Sequence, residues 1–421
     1  MKVLWFSNSP ANATEYLMNV STVGGWLVSL DKELQERVEL HNAFYYPKRN
    51  DSFKYLKTTY HPIGNRNWKL VALKGLLWEK FIDHQDLSKY LEIINSVKPD
   101  IIHINGTENP FGCIIGNTKI PVVTSIQGNL TVYKHKYFSG IEKKYLNTIT
   151  PINNSFKVFL FNPSFRKAYQ SFIKIQKREE RNLINSKYII GRTDWDKRIT
   201  SILAPSSKYF HIDEILRESF YKVRGISSRT GGQIIVHTTT ANCYYKGLET
   251  LCQALYELNK IGVKVEWRVA GVNANDLIVK IVRKKLKNKF PEHGLYFLGP
   301  LNEQQLLNKL LEAEIYVMPS HIENSPNNLC EAMILGIPCI ASFAGGTDSL
   351  LKNQEEGILV QDGDPWSLAG AVLELHQDPT KAIKFGEAAR SRAVIRHNKE
   401  KIVEDLICTY ENILNIHNTY D

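Results

Sequence analysis

Two carboxylates, Glu323 and Glu331, bracket the run Asn324-Ser325-Pro326-Asn327-Asn328-Leu329-Cys330, and that run reads as a helix start. Ser325 is a residue type suited to the N-cap, where its hydroxyl accepts from a first-turn amide. Pro326 suits the first helical position, where a missing N–H costs nothing. The amides of Asn327, Asn328 and Leu329 would then point outward from the positive end of the helix dipole, an arrangement that binds anions and fits a diphosphate. Glu331, about one turn further in, is placed to accept from ribose hydroxyls. Glu323, in the preceding loop, is placed to accept from hydroxyls of a sugar. Gly336, just ahead of Pro338, marks the helix end. Together these groups would grip an activated carbohydrate by its leaving half.

A cation belongs in such a site, and Lys246-Gly247 supplies one where the apolar run Ile234–His237 hands over to a helical pattern at Leu248–Lys260. A lysine there neutralises charge building on a departing diphosphate. Thr238, Thr239 and Thr240 add hydroxyl donors without charge, Thr239 being the candidate donor contact. Gly24-Gly25 follows the first strand at another helix start, where absent side chains let backbone approach a diphosphate or acceptor. His103-Ile-Asn-Gly-Thr-Glu108 and Gln127-Gly128 follow successive strands. Asn105, Glu108 and Gln127 are the acceptor-binding candidates, whereas His103, inside an apolar run, is expected in the core. Asp194-Trp-Asp196 and Asp362-Gly-Asp364 both match D-x-D, but three-residue matches arise by chance and no metal is expected.

Strands must alternate with helices to place these loops on one edge. Val3–Phe6, Ile101–Ile104, Pro121–Ser125 and Tyr188–Gly191 read as buried strands of a first doubly wound parallel sheet, with a helix at Trp26–Glu36 and an amphipathic stretch at Trp68–Phe81. Residues 43–62, rich in tyrosine and poor in aliphatics, read as an irregular loop. A second series begins near Gly232, with strands at Ile234–His237, Val263–Val269, Leu295–Leu298 and Ile315–Met318. The expected domains are 1–215, acceptor-binding, and 232–398, nucleotide-sugar-binding, and a last helical stretch follows at about 399–421.

The succession Ile315–Ser320, Glu323, Glu331, Gly336-Ile-Pro338, Gly345-Gly346-Thr347, Gly357–Val360 and Asp362–Pro365 resembles, in order and spacing, the nucleotide-binding half of the retaining glycosyltransferases of family 4. Gly191–Asp196 and Glu214–Arg217 resemble segments of a branch found in bacterial polysaccharide clusters. The resemblance implies an α/β chain of GT-B fold, two Rossmann-like domains facing a central cleft, with the last helical stretch packing back on the first domain. It implies a nucleotide diphosphate sugar as donor, a glycan or lipid-linked acceptor, same-face attack, and Lys246 on the donor phosphates. Many relatives carry an arginine about five residues before this lysine, where this chain has Ala241. Arg217 and Arg192, near the expected hinge, are the candidate replacements. Gln127 stands where many relatives have histidine.

With 421 residues the chain is long enough for two full cores, and 43% apolar residues is ordinary for a globular protein. No apolar run reaches membrane-spanning length, and the apolar part of Met1–Pro10 is too short for a secretion signal, so the cytoplasm is expected. Six cysteines lie scattered without metal-ligand spacing, which points to reduced thiols. The net charge of +10 is uneven: residues 1–225 carry 33 Lys+Arg against 20 Asp+Glu, and residues 226–421 carry 20 against 23. The basic half, with the lysines and aromatics of 131–186, predicts peripheral contact with an anionic membrane surface. No nucleic-acid recognition module accompanies the charge. A GT-B nucleotide-sugar epimerase and a non-catalytic nucleotide-sugar-binding subunit stand as alternatives.

Overall fold

The computed structural model describes residues 1–18, 25–46, 48–64, 79–142, 145, 165–225 and 232–420. It divides into two compact units, one of Met1–Thr131, Lys174–Arg217 and His397–Asp421, the other of Val132–Ile173 and Glu218–Arg396.

The first unit is built on strands β1 (Lys2–Ser7), β2 (Glu39–Tyr45), β3 (Phe53–Tyr55), β4 (Thr58–Ile63), β5 (Ile101–Asn105), β6 (Val122–Ser125), β7 (Tyr188–Gly191) and β8 (Lys208–His211). They form one sheet in the order β3-β4-β2-β1-β5-β6-β7-β8. Every pairing is parallel except that of β3 with β4. The central strands β1, β5 and β7 are apolar runs buried on both faces, as a helix-covered parallel sheet demands. Residues 43–62 are not an irregular loop: they finish β2 and contain β3 and β4. Their hydroxyls hid the strands. Thr58 and Tyr60 are fully buried and both donate, at 2.6 Å, to the carboxylate of buried Asp31. Burial raises the pKa of Asp31 against these hydrogen bonds.

The last helix, Lys399–Tyr420, lies with this first unit. Its Ile402, Val403, Leu406, Tyr410 and Ile413 share a core with Val3, Trp5, Leu30 and Leu34. The Tyr410 hydroxyl accepts from Trp5 Nε1 at 3.2 Å and bonds His103 Nδ1 at 2.6 Å. His103 also bonds the Ser125 hydroxyl, and burial lowers its pKa to about 3, so it is a neutral core histidine.

The second unit carries β9 (Ile234–Thr239), β10 (Val265–Ala270), β11 (Leu295–Gly299), β12 (Ile315–Met318), β13 (Cys339–Phe343) and β14 (Ile358–Gln361), all parallel, in the order β11-β10-β9-β12-β13-β14. The chain order reverses between β9 and β12, and in sheets of this kind ligands settle outside the carboxyl ends of the two strands flanking that reversal. Thr238 stitches the junction, donating to the Val317 carbonyl at 2.8 Å and accepting from Trp267 Nε1 at 3.0 Å.

Val132–Ile173, which the sequence reading assigns to the N-terminal domain, clusters instead with this second unit. Ile141 sits in its core. Rings of Tyr137, Phe138, Tyr169, Phe172 and Tyr244 interlock at centroid distances of 4.7 to 5.8 Å in the pairs Tyr137–Phe172 and Tyr137–Tyr244, and at 4.8 Å in Phe138–Tyr169. Its lysines disguised a packing element. Helix Phe165–Ile184 begins in the second unit and finishes in the first. Lys143, Lys144 and most of Trp68–Phe81 lie outside the described residues. Among the described residues no helix is long and apolar enough to cross a membrane, and all six cysteines are free thiols.

Candidate active site

In the second unit the loops after β9, β12, β13 and β14 all emerge at the carboxyl edge of one parallel sheet. Lys246 ends a short 3-10 turn, Tyr244–Lys246, and Gly247 follows in the left-handed region at φ 70°. A Cβ on Gly247 would sit 1.9 Å from the Pro319 carbonyl oxygen, so glycine is what lets the post-β9 loop touch the post-β12 loop. The His321 amide then donates to the Tyr245 carbonyl at 2.8 Å.

This contact brings the principal charges together. Lys246 Nζ lies 2.6 Å from Glu323 Oε1, with the lysine side chain 21% and the glutamate 7% exposed. The Glu323 carbonyl in turn accepts from Gly346 N at 2.9 Å, and a Cβ on Gly345 would sit 1.9 Å from it. The glycine pair after β13 therefore braces Glu323 from behind. The sequence places Lys246 and Glu323 in one site by type alone; their direct pairing is a result of the fold.

The helix following Glu323 spans Asn327–Leu335, and its cap is shifted from the sequence expectation. Pro326, not Ser325, is the N-cap residue, with extended backbone at ψ 110°, and Ser325 precedes it. The Pro326 carbonyl accepts from both the Leu329 and Cys330 amides, at 3.0 and 3.3 Å. Leu329 N is thus turned into the helix, which corrects its assignment as an outward donor. The Asn327 and Asn328 amides donate to no backbone carbonyl among the described residues and form the open end of the helix. Asn328 Nδ2 donates to the Thr239 carbonyl at 2.7 Å, so Thr239 enters through its backbone and ties the helix start to β9. Glu331 is buried at 4% exposure, one turn in, and Gly336 closes the helix in the left-handed conformation as expected.

One cluster at this edge has no short-range sequence signal. His321 Nε2 lies 2.6 Å from Glu249 Oε1 and Nδ1 lies 3.4 Å from Asp362 Oδ2, and Lys136 Nζ stands 3.0 Å from the same Asp362 oxygen. Burial opposes charge on the ring, but the hydrogen bond and charge of Glu249, with Asp362 behind, raise the His321 pKa above the ordinary value. The four residues come from four segments, so only the fold assembles them.

The first unit gathers the acceptor candidates only in part. Glu108 Oε2 accepts from Asn8 Nδ2 at 2.6 Å, and Gly106, at φ 96°, leaves space that a Cβ would contest with Glu108, Asn8 and Gln127. Glu108 and Gln127 therefore gather around Gly106 with Asn8, which has no motif in the sequence to mark it. Asn105 is fully buried, with no partner for its amide among the described residues. Glu179 lies close by, accepting from the Thr131 amide at 2.9 Å and from the Thr107 hydroxyl at 2.5 Å. Burial lifts its pKa to about 7 against those bonds. Arg192 is buried against Glu214 at 3.7 Å and stacked 4.2 Å over the Trp26 ring, which commits it inside the first unit. Arg217 is half-buried at the end of that unit's middle segment. Gly25 caps helix Trp26–Leu34, and a Cβ there would meet nothing within 4 Å; Gly24 lies outside the described residues.

One carboxylate of each D-x-D match is engaged in structural hydrogen bonds. Asp196 accepts from the Arg192 amide at 2.8 Å and from the Tyr209 hydroxyl at 2.5 Å. Asp364 caps helix Pro365–Gln377 through the Trp366 and Ser367 amides, at 3.0 Å each.

Residues 225–392 match the model of the family described as glycosyl transferases group 1. The N-acetyl-alpha-D-glucosaminyl L-malate synthase of Bacillus anthracis is 28% identical over 233 residues, 55% of this chain and 58% of that protein. The amylovoran biosynthesis glycosyltransferase AmsK of Erwinia amylovora is 26% identical over 160 residues, 37% of this chain and 39% of that protein. The chain thus spans about half the length of the curated relatives it matches. A sucrose-phosphate synthase from Thermosynechococcus elongatus aligns with a TM-score of 0.72 at 14% identity, over 99% of this chain and 100% of that one, which shows a shared GT-B fold. The matched segment contains Lys246, Glu323, Glu331 and the glycine pair that braces them, and the comparisons on that segment support a family-4-like glycosyltransferase.

Proposed function

We propose that this chain transfers a sugar, with retention at the anomeric carbon, from a nucleotide diphosphate sugar to a sugar hydroxyl of a glycan or lipid-linked oligosaccharide in surface polysaccharide synthesis. The base is uridine, with guanosine second. The carrying observation is the Lys246–Glu323 pair at 2.6 Å, set beside the open amides of helix Asn327–Leu335. A diphosphate arriving at those amides competes with Glu323 for the lysine, because a dianionic ligand attracts the ammonium more strongly than one carboxylate does. Glu323, released, accepts from the donor sugar hydroxyls, and Glu331 accepts from the ribose. The anomeric carbon–phosphate oxygen bond breaks as the acceptor oxygen forms its bond on the same face. The acceptor proton passes to the leaving phosphate oxygen, and Lys246 offsets the charge left on the diphosphate. Asn8, Glu108 and Gln127 bind acceptor hydroxyls.

No metal is assigned a role. The structural hydrogen bonds of Asp196 and Asp364, one carboxylate of each D-x-D match, support that reading, as does the presence of Lys246 where a cation is needed. The +13 balance of residues 1–225, from 33 Lys+Arg and 20 Asp+Glu, supports peripheral contact with the cytoplasmic face of an anionic membrane. Flotation with anionic liposomes tests that contact, and protein found wholly in the soluble fraction removes it.

The decisive experiment offers purified protein a panel of UDP- and GDP-sugars with lipid-linked acceptors. Transfer with retained configuration is the expected outcome. A changed free sugar formed without acceptor would mark an epimerase, and nucleotide binding without turnover would mark a binding subunit.

A further inference from the structure

His321 lies two residues before Glu323 and is clasped on both ring nitrogens by carboxylates, Glu249 at 2.6 Å and Asp362 at 3.4 Å. A neutral imidazole has one donor and one acceptor nitrogen; two facing carboxylates need two donors, so the geometry itself calls for the imidazolium. The site is built to hold that charge. His321 is 3% exposed, and the second oxygen of Glu249 has no partner among the described residues. Gly140, at φ 76°, presses its backbone against the pair, where a Cβ would sit 1.8 Å from Glu249 Oε1 and 2.7 Å from His321 Nε2. Lys136 stands behind Asp362, and Lys285 donates to the Gly140 carbonyl. Gly140, Glu249, Lys285, His321 and Asp362 line one small cavity of the second unit, about 270 Å³.

The backbone of His321 is tied as firmly as its ring, since its amide donates to the Tyr245 carbonyl, immediately before Lys246. One residue thus links the Lys246 loop, the Glu323 loop, helix Leu248–Lys260 and the turn after β14. We propose that His321, held as an imidazolium between Glu249 and Asp362, is a positioning residue that anchors the loop running from Glu323 to the open amides of Asn327 and Asn328, and so sets the strength with which this edge grips a nucleoside diphosphate. It touches neither substrate nor the reacting atoms and acts through the loop it anchors. Loss of its proton leaves the buried Glu249 and half-buried Asp362 carboxylates facing a neutral ring, and the loop carrying Glu323 relaxes. The inference rests on the donor-site reading for its consequence, but not for its structural core.

Two readouts separate them. Imidazole and amide signals are followed by NMR across about pH 6 to 10 in the unliganded protein, together with His321→Gln and Asp362→Asn. The amides of Glu323, Asn324, Ser325, Asn327 and Asn328 are expected to shift with the midpoint of the His321 ring, to move to lower pH in Asp362→Asn, and to lose that transition in His321→Gln. Amides that ignore the ring, or a midpoint unmoved by Asp362→Asn, would overturn the proposal. In parallel, UDP and GDP affinities are measured at the two ends of the range. Affinity is expected to fall about tenfold once the ring is neutral, the equivalent of one pK unit of coupling, and less than about twofold in His321→Gln. Nucleotide binding that is indifferent to the ring's titration also overturns it. If neither nucleotide binds at any pH, the donor reading fails, and the amide signals still decide whether His321 holds the loop.

Discussion

Lys246 and Glu323 neutralise each other in the unliganded protein, and this pairing shapes what substitution does. Removing the lysine strips the diphosphate of its cation and leaves a buried carboxylate unpaired. Lys246→Ala should lower kcat/KM by about a hundredfold or more, the usual cost of one transition-state charge partner. Glu323→Gln should act differently, because the amide still accepts from sugar hydroxyls while no longer competing for Lys246. Nucleotide affinity is expected to hold or rise while turnover falls, which a KM and kcat comparison reads directly. At this scale the sequence was informative about residue types and blind to partners. Glu323, Glu331 and Lys246 stand out by spacing, but Glu249, His321 and Asp362 are far apart in the chain and look like ordinary surface charges. Asn105 looked like a ligand because it follows a strand; its complete burial depends on what covers the strand end.

Elements were legible wherever apolar period and caps agreed. Strands β9 and β12 and helix Leu248–Lys260 follow their patterns closely. Strand β4 did not, because Thr58 and Tyr60 turn hydroxyls inward to a partner, Asp31, that comes from a distant helix. The cap of helix Asn327–Leu335 shifted by one residue because Pro326 adopts extended backbone and uses its own carbonyl as the first acceptor. Glycines carry the most specific prediction at this scale. Gly247→Ala and Gly345→Ala each force a Cβ to 1.9 Å from a carbonyl oxygen and strain a positive φ, so each should cost about 2 kcal/mol or more in urea unfolding. Gly25→Ala meets open space and loses no side-chain cap, so a change of only a few tenths of a kcal/mol is expected there.

The molecule as a whole should respond to pH through histidines of opposite kind. His103 is held neutral, its pKa lowered to about 3 by burial. The unfolded chain therefore takes up a proton that the folded protein refuses. That contribution is complete above the ordinary histidine pKa of about 6.5 and is lost as pH falls towards the folded value. His321 has the reverse sign: its raised pKa adds stability that is full below the ordinary value and disappears as pH rises through the folded one. Denaturant midpoints measured against pH should therefore decline on both sides, with His321→Gln flattening the alkaline side only.

The chain passes between its two units at residues 131–132, 173–174, 217–218 and 396–397. A gene fragment opening at Gly232 would encode all six strands of β9–β14 and still be incomplete. It would lack the rings that cover Tyr244, the isoleucine at position 141 that fills the core, and the ammonium that steadies Asp362. Such a truncated product is expected to emerge insoluble or to bind a fluorescent hydrophobic dye, whereas supplying residues 132–173 as a covalently joined leader should restore compactness.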